Sequence, residues 1–318
     1  MTEYIVGVDL GGTKIRTALA TLDGEVRAEV EVPTNAQAGY TRVLERIAET
    51  VEELRRQVGL TTKPLRVGLG APGPLDPVRG IVHVAPNLGW RNVSLVSDLA
   101  KLTGVPVFLE NDANLAAIGE FTYGAGKGTR DMIYLTVSTG IGGGLILGGR
   151  LYRGAGYGAG EIGHITLLPD GPLCSCGNRG CLEALASGTA IAREARELIG
   201  KGGGQSILAL AGGAEDAVTA KTVARAAYQG DAEAKALFDK AARWLGVGIA
   251  AAANLLNPAV VVLGGGVMKS AALFWGRLEE EVAARVLPGT REVLRLKRAE
   301  LGKRSGVLGA VAFAIRPE

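Results

Sequence analysis

Residues 154–183 read GAGYGAGEIGHITLLPDGPLCSCGNRGCLE and contain all three cysteines of the chain. Four metal-ligating residues in this stretch follow the pattern H-x9-C-x-C-x4-C: His164, Cys174, Cys176 and Cys181. Three thiolates and one imidazole form a complete tetrahedral ligand set for zinc and leave no position for a catalytic water. Four residues between the ligands favour the tight turns that this spacing requires: Gly171, Pro172, Gly177 and Gly180. The sequence therefore predicts a structural zinc site.

The alternative for this stretch is three ordinary free cysteines in a loop. A polar, glycine-rich segment offers no apolar core that could bury free thiols, which disfavours that alternative. Three cysteines also cannot all pair as disulfides, so we expect the chain in a reducing cytoplasm. Glu161 and Glu183 flank the ligands, and a bound metal would fix both carboxylates in space.

The size and charge of the chain exclude several classes of protein. The chain has 318 residues, of which 47% are hydrophobic, and this length suits two domains with buried cores. Its 35 basic and 32 acidic residues nearly balance, without a basic run, so we expect no nucleic-acid binding. The N-terminal residues do not resemble a signal peptide, and no apolar run reaches membrane-spanning length.

Two glycine-rich hairpins divide the chain into similar halves. Residues 4–9 and 15–21 are predicted strands on either side of the first hairpin, within DLGGTK. Residues 132–137 and 145–147 are predicted strands on either side of the second, STGIGGG. We therefore expect two domains on one plan, each presenting a hairpin whose backbone N–H groups bind phosphate.

Other segments carry helical or strand patterns. Apolar residues recur at helical spacing over 41–58, and a buried strand over 105–109 ends at Glu110, Asn111 and Asp112 before a predicted helix. Polar residues at the end of such a strand favour ligand binding. The remaining predictions are a strand at 65–69, helices at 94–102, 113–121, 189–199, 219–229, 232–256, 270–286 and 306–315, strands at 26–32, 260–263 and 293–296, and a loose segment at 201–213.

Five motifs, in chain order, resemble those of the ROK family of bacterial sugar kinases, and within it the ATP-dependent glucokinases: DLGGTK, ENDAN, STGIGGGL, GEIGH and CSCGNRGCLE. The resemblance covers essentially the whole chain. It implies an α/β fold with two domains of the ribonuclease H-like type, shared by actin, Hsp70 and sugar kinases, and a ligand cleft between them. We expect a smaller domain of residues 1–112 plus about 304–318, and a larger one of residues 113–303 with the zinc loop.

The same resemblance implies a catalytic base and a sugar site. Asp112 would take the proton from the attacking sugar hydroxyl, although it could instead cap the helix that follows. The residues expected to bind the sugar are Gly73, Asn87, Asn111, Asp112, Glu161, His164 and Glu183. His164 would bind zinc through one ring nitrogen and face the sugar with the other. Closure of the two domains on the sugar is also expected.

Phosphate and nucleotide binding are implied for the glycine-rich segments: Gly11, Gly12, Thr13, Lys14, Thr139 and Gly140 for the phosphates, and Gly265 and Gly266 for adenosine. Asp9 would hold Mg²⁺ through water, and its alternative is a plain residue at a strand end. Lys14 contacts phosphate or is simply solvated, and the sequence does not decide between the two.

The predicted activity is transfer of the γ-phosphoryl group of ATP to the 6-hydroxyl of glucose, with Mg²⁺ and a structural Zn²⁺. Alternatives are another hexose (mannose, fructose, N-acetylmannosamine or N-acetylglucosamine) and polyphosphate as donor. A sugar-responsive repressor of the family is disfavoured because such repressors carry an N-terminal helix-turn-helix region, and a phosphate loop that begins at Asp9 leaves no room for one. A nonenzymatic zinc protein is disfavoured by the intact ENDAN motif. We expect a homo-oligomer, either a dimer or a tetramer, and no membrane partner.

Overall fold

The computed structural model of the protein describes residues 3–317, and they form two compact units. The first unit contains the described residues up to Gly128, then Gly144–Ala159, and those from Ala299 onward. The second unit contains Thr129–Gly143 and Gly160–Arg298. No helix in the described residues is both long enough and apolar enough to span a bilayer.

The strands are β1 (Tyr4–Leu10), β2 (Lys14–Thr21), β3 (Val26–Pro33), β4 (Val67–Ala71), β5 (Leu75–Asp76), β6 (Ile81–Ala85), β7 (Trp90–Val93), β8 (Val107–Asn111), β9 (Met132–Val137), β10 (Ile141–Leu147), β11 (Arg150–Leu151), β12 (Val260–Gly264) and β13 (Arg295–Arg298). The α-helices are α1 (Tyr40–Gln57), α2 (Leu95–Thr103), α3 (Asp112–Tyr123), α4 (Leu182–Ala186), α5 (Gly188–Gly200), α6 (Gln205–Leu210), α7 (Ala220–Tyr228), α8 (Ala232–Leu256), α9 (Trp275–Ala283), α10 (Pro288–Val293) and α11 (Ser305–Ile315).

The first sheet has the strand order β3-β2-β1-β4-β8. Strands β1, β2 and β3 are antiparallel neighbours, whereas β1, β4 and β8 run parallel. All five residues of β4 are buried because helices cover both faces of this central strand. β3 alternates between half-buried and exposed residues, as expected for an edge strand with one face towards water.

The second sheet repeats this order as β11-β10-β9-β12-β13. Strands β9, β12 and β13 run parallel, and β10 and β11 form an antiparallel hairpin. The prediction of an α/β chain with one plan used twice is therefore confirmed. β5, β6 and β7 form a separate three-stranded antiparallel sheet, which the sequence analysis did not predict.

Helices α3 and α11 pack closely within the first unit. A Cβ atom built on Gly309 would lie 1.7 Å from the backbone oxygen of Leu115, and one on Gly119 would lie 2.3 Å from that of Ser305. Only glycine fits at such a crossing. The buried carboxylate of Glu120 accepts hydrogen bonds from the backbone N–H groups of Ala125, Glu300 and Leu301 and from the Ser305 hydroxyl. This buried group is therefore fully satisfied.

Some predicted boundaries differ from the structure. The helix expected over 270–286 is instead a 3₁₀ segment, Val267–Leu273, with a kink at Ser270, followed by α9, and the two are separated by Phe274, whose dihedral angles are not helical. β10 begins at Ile141 and so includes glycines that were assigned to the hairpin turn. The segment 201–213, expected to be loose, contains α6.

The two units also differ from the predicted domains, which divided the chain at residue 112. α3 packs against α11 and therefore belongs to the first unit, as do Gly144–Ala159. Residues 1, 2 and 318, which the predicted smaller domain includes, lie outside the described residues.

Candidate active site

The four predicted zinc ligands lie together in the second unit. Their ligand atoms all lie within 4.8 Å of one another. The Sγ atoms of Cys176 and Cys181 are 3.7 Å apart, and Cys174 Sγ is 3.6 Å from Nδ1 of His164. Because a Zn–S bond is about 2.3 Å long, sulfur atoms of a tetrahedral zinc site lie about 3.8 Å apart. The donor spacing therefore fits zinc.

The chemistry of the thiols also fits a cation. Burial raises the pKa of Cys174, and burial together with the neighbouring thiols raises the pKa of Cys181 to about 12. A hydrogen bond from the backbone N–H of Asn178 lowers the pKa of Cys176. Crowded thiols of this kind ionise together only beside a positive charge, and a divalent metal supplies one.

His164 presents its second ring nitrogen to a carboxylate. It ends a short 3₁₀ turn, Ile162–His164, and its Nε2 lies 3.9 Å from Oε2 of the exposed Glu161. Nδ1 faces the thiols, so the two ring nitrogens face different groups. This arrangement leaves the Nε2 side of the ring available for a ligand.

Glu183 joins the cysteine cluster to the second glycine hairpin. One carboxylate oxygen, Oε1, accepts a hydrogen bond of 2.9 Å from the Ser175 hydroxyl, between two of the cysteines. The other oxygen, Oε2, accepts one of 2.9 Å from the backbone N–H of Ile141. A Cβ atom on Gly140 would lie 2.3 Å from this oxygen, so the approach requires glycine. A movement of the loop that carries Cys174, Ser175 and Cys176 would therefore displace the contact between Glu183 and Ile141.

Asn111 and Asp112 lie where β8 meets α3, in the first unit. The N-cap of α3 is Asn111, whose Oδ1 accepts hydrogen bonds from the backbone N–H groups of Ala113 and Asn114. Asp112 is the first helical residue, and its Oδ1 accepts a 2.8 Å hydrogen bond from Ala113. The capping role that the sequence allowed for Asp112 therefore belongs to its neighbour.

Two other predicted sugar-site residues lie beside these elements of the first unit. A Cβ atom on Gly73 would lie 3.6 Å from Nδ2 of Asn111, so the loop after β4 reaches the Asn111 amide. Asn87 is exposed in a 3₁₀ turn, Pro86–Leu88, and packs against Gly12 of the first hairpin.

The first hairpin, between β1 and β2, is formed as predicted. The N–H of Gly11 donates a 2.9 Å hydrogen bond to the backbone oxygen of Lys14, so this N–H is already used within the turn. Gly12 is half-buried and Thr13 is exposed. The Lys14 side chain forms an exposed ion pair with Glu31, which favours the solvated alternative for Lys14.

Asp9 lies within β1, opposite Arg16 of β2, and is not a turn residue. Burial raises the pKa of its carboxyl to about 6, although the positive charge of Arg16 acts in the opposite direction. A Cβ atom on Gly306 would lie 2.5 Å from the Asp9 carboxylate, so this glycine makes room for it. Because a nearby positive charge favours the ionised form of a carboxyl, a cation beside Asp9 would offset this effect of burial.

The second hairpin and the third glycine cluster meet in the second unit. Gly265, at φ +93°, lies against the backbone of Val137, and Gly266 lies against Ser138. A cavity of about 760 Å³ is lined here by Ser138, Thr139 and Gly266 together with residues of α5 and α7. Thr139, predicted for phosphate, and Gly266, predicted for adenosine, therefore line the same cavity, whereas Gly140 and Gly265 are not among its lining residues.

Sequence reasoning missed the other residues of this cavity, because they come from helices without a glycine motif. They are Gly188, Thr189, Ala192, Arg196, Asp216, Val218, Thr219, Ala220, Lys221, Ala224, Arg225, Tyr228, Phe238, Val267, Lys269 and Ser270. Ser175, which contacts Glu183, was also missed, although its place between two ligand cysteines could have suggested a role.

The ROK family matches residues 5–316 of the chain. The glucokinase of Thermotoga maritima is 41% identical over 314 residues, which are 97% of this chain and 96% of that protein. The crystal structure of the ROK hexokinase from Thermus thermophilus is 42% identical with a TM-score of 0.84, and the match covers 98% and 97% of the two chains. The ROK family glucokinase from Streptomyces griseus in complex with glucose and AMPPNP is 35% identical with a TM-score of 0.82, over 98% and 99%. The family match and these relatives extend over nearly the whole length, and the chain therefore belongs to the ROK family.

Proposed function

We propose that the protein is an ATP-dependent glucokinase, which transfers the γ-phosphoryl group of ATP to the 6-hydroxyl of glucose. The observation that carries this proposal is the position of Glu183. Its carboxylate contacts both the cysteine loop, through Ser175, and the second glycine hairpin, at Ile141. The carboxylate proposed to bind sugar hydroxyls therefore lies against the hairpin proposed to bind phosphate. The glucokinases and hexokinase similar to this chain support the same activity.

The proposed general base is Asp112, which accepts the proton of the attacking hydroxyl. Asn111 caps α3 and supports this role, because Asp112 is not needed as the N-cap. Positioning and neutralisation of charge are expected to supply most of the rate enhancement in phosphoryl transfer.

The proposed sugar contacts are carboxylates, an imidazole and amides. Glu161, His164 and Glu183 come from the second unit, and charged acceptors of this kind give the stronger hydrogen bonds to hydroxyl groups. Asn111, Asn87 and the backbone at Gly73 are proposed to add contacts from the first unit.

The cavity of the second unit is proposed to bind the nucleotide, with Thr139 and Gly140 near the phosphates and Gly265 and Gly266 near adenosine. Gly12 and Thr13 are the proposed phosphate contacts of the first hairpin. Gly11 and Lys14 are proposed to contribute less, because the Gly11 N–H and the Lys14 side chain already have partners within the protein. Asp9 would hold Mg²⁺, and the chemistry that Mg²⁺ supplies is neutralisation of phosphate charge.

A coupled assay with a panel of sugars and donors tests the proposal. We expect the highest kcat/KM with glucose and ATP among glucose, mannose, fructose, N-acetylmannosamine and N-acetylglucosamine, each with ATP or polyphosphate. Faster turnover of an N-acetylated sugar would contradict the assignment of glucose. Absence of phosphorylation with every pair would contradict a kinase.

We also propose a cytoplasmic location and a homo-oligomer, either a dimer or a tetramer. Reduced thiols are needed for the metal site, and the cytoplasm keeps them reduced. Light scattering after size-exclusion chromatography measures the oligomeric state. A measured mass equal to that of one chain would contradict the homo-oligomer.

A further inference from the structure

A buried carboxylate lies directly behind the proposed general base. Glu110 ends β8 with Asn111 and is only 2% exposed. Its Oε1 accepts hydrogen bonds from the backbone N–H of Asn111, at 2.9 Å, and from Nδ2 of Asn114, at 2.8 Å. One oxygen therefore holds both the residue before Asp112 and the first turn of α3. The proposed roles of the site residues do not use Glu110.

The other carboxylate oxygen binds an arginine that is distant in sequence. Nε of Arg153 donates a hydrogen bond of 2.6 Å to Oε2 of Glu110, and the arginine side chain is 21% exposed. Arg153 lies between β11 and the glycine-rich stretch that leads to Glu161. A buried carboxylate needs hydrogen bonds or a charged partner to offset its loss of hydration, and removal of Arg153 would leave Oε2 of Glu110 without its charged partner.

We propose that Glu110 and Arg153 form a positioning pair for phosphoryl transfer. Arg153 fixes the Glu110 carboxylate, and Glu110 fixes the Asn111 backbone and Asn114 at the start of α3. Asp112 lies between these two held residues, so its carboxylate direction depends on the pair. The inference rests on the proposed function of Asp112 and assigns the pair no contact with substrate.

The test is a set of variants with matched side-chain size. Arg153→Met keeps the stem and removes the charge. We expect kcat with glucose and ATP to fall about 10- to 100-fold, because a misplacement of about 1 Å at a reacting group can cost 100-fold. The KM for ATP and the glucose affinity measured by calorimetry with AMPPNP are expected to stay within about threefold, which separates positioning from a loss of binding.

A double variant tests whether Arg153 acts through Glu110. Glu110→Gln with Arg153→Met leaves no charge at either position of the pair, so we expect its kcat to exceed that of Arg153→Met at least about fivefold. Arg153→Lys, which keeps the charge, is expected to retain more activity than Arg153→Met. If Arg153→Met does not fold, the kcat values of the double variant and of Arg153→Lys are compared with that of the wild type. A double variant with the wild-type kcat would then overturn the proposal.

Arg150→Met is the matched control. Arg150 lies three residues earlier, is exposed, and has no ion pair within residues 3–317. We expect its kcat to equal that of the wild type. Equal kcat values for Arg150→Met and a folded Arg153→Met would overturn the proposal, as would a double variant no faster than Arg153→Met.

Failure of the proposed function gives a different result. If the wild type phosphorylates no sugar in the panel, the function is wrong, whatever the variants do. If the wild type is active, Asp112→Asn is inactive and Arg153→Met is as active as the wild type, only the positioning pair is wrong.

Discussion

The proposed phosphoryl transfer depends most on the side chain of Asp112. Asp112→Asn is nearly isosteric but cannot accept the hydroxyl proton. We expect kcat to fall at least about 100-fold, because general base catalysis is typically worth 10²- to 10⁴-fold, while glucose binding stays measurable. Asp170→Asn, in an exposed loop, is the control. A kcat above about a tenth of the wild-type value would contradict the base role.

A substitution at Gly140 tests whether activity depends on the Glu183 contact when the protein stays folded. A methyl group here meets the Glu183 carboxylate, the end of a flexible side chain, so the carboxylate can move without unfolding the protein. For Gly140→Ala we expect kcat/KM for glucose to fall at least about tenfold, the effect of losing one hydrogen bond to a charged group. The melting temperature should change little.

Gly158→Ala is the control for this substitution, because a Cβ atom at Gly158 meets no atom within 4 Å. Its kcat/KM should match that of the wild type. Unchanged kinetics in Gly140→Ala would show that the contact between Glu183 and Ile141 is not needed for catalysis.

The close packing of α3 on α11 leads to a prediction about the free energy of unfolding. In Gly309→Ala the methyl group meets the backbone of Leu115, which cannot move without displacing α3. We expect the free energy of unfolding to fall by about 1–3 kcal/mol, measured by urea titration. Gly276→Ala, at an exposed position of α9 with no atom within 4 Å, is expected to add about 0.5–1 kcal/mol. Equal stability of the two variants would contradict this account of the crossing.

Elements with strong local signals were predictable from the sequence. The bounds predicted for α8, 232–256, are those of the structure, because Asp231 caps its start and Asn257, at φ +45°, ends it before a proline. The break before α9 was not predictable. Phe274 departs from helical geometry and stacks on Phe238, at a ring-centroid distance of 5.7 Å, and such a tertiary contact leaves no periodic signal.

The candidate site was predictable where chemistry and spacing coincide. The cysteine pattern predicted four ligands that the structure brings together. The cavity residues of α5 and α7 have no such pattern, since a polar side chain on a helix face is usually solvated. The small sheet of β5, β6 and β7 was also missed, because its strands are short and pair only with one another.

Removal of the metal is expected to affect both sugar binding and the stability of the whole protein. We expect elemental analysis of the native protein to give one zinc per chain, and Cys176→Ala to lose both zinc and most glucose affinity. Bound metal supplies local folding energy, so a chelator should also lower the melting temperature. Nucleotide binding should weaken much less. Native protein without zinc, or Cys176→Ala with the wild-type KM for glucose, would contradict a structural metal.

The return of the chain to the first unit affects the order of folding during synthesis. α11 covers β1 and β4 and packs on α3, yet it follows the whole second unit in the sequence. The second unit ends at Arg298, so its whole sequence emerges earlier. The first unit therefore completes its core only after the whole second unit has been synthesised, and until then the apolar face that awaits α11 is exposed to chaperones and to other nascent chains.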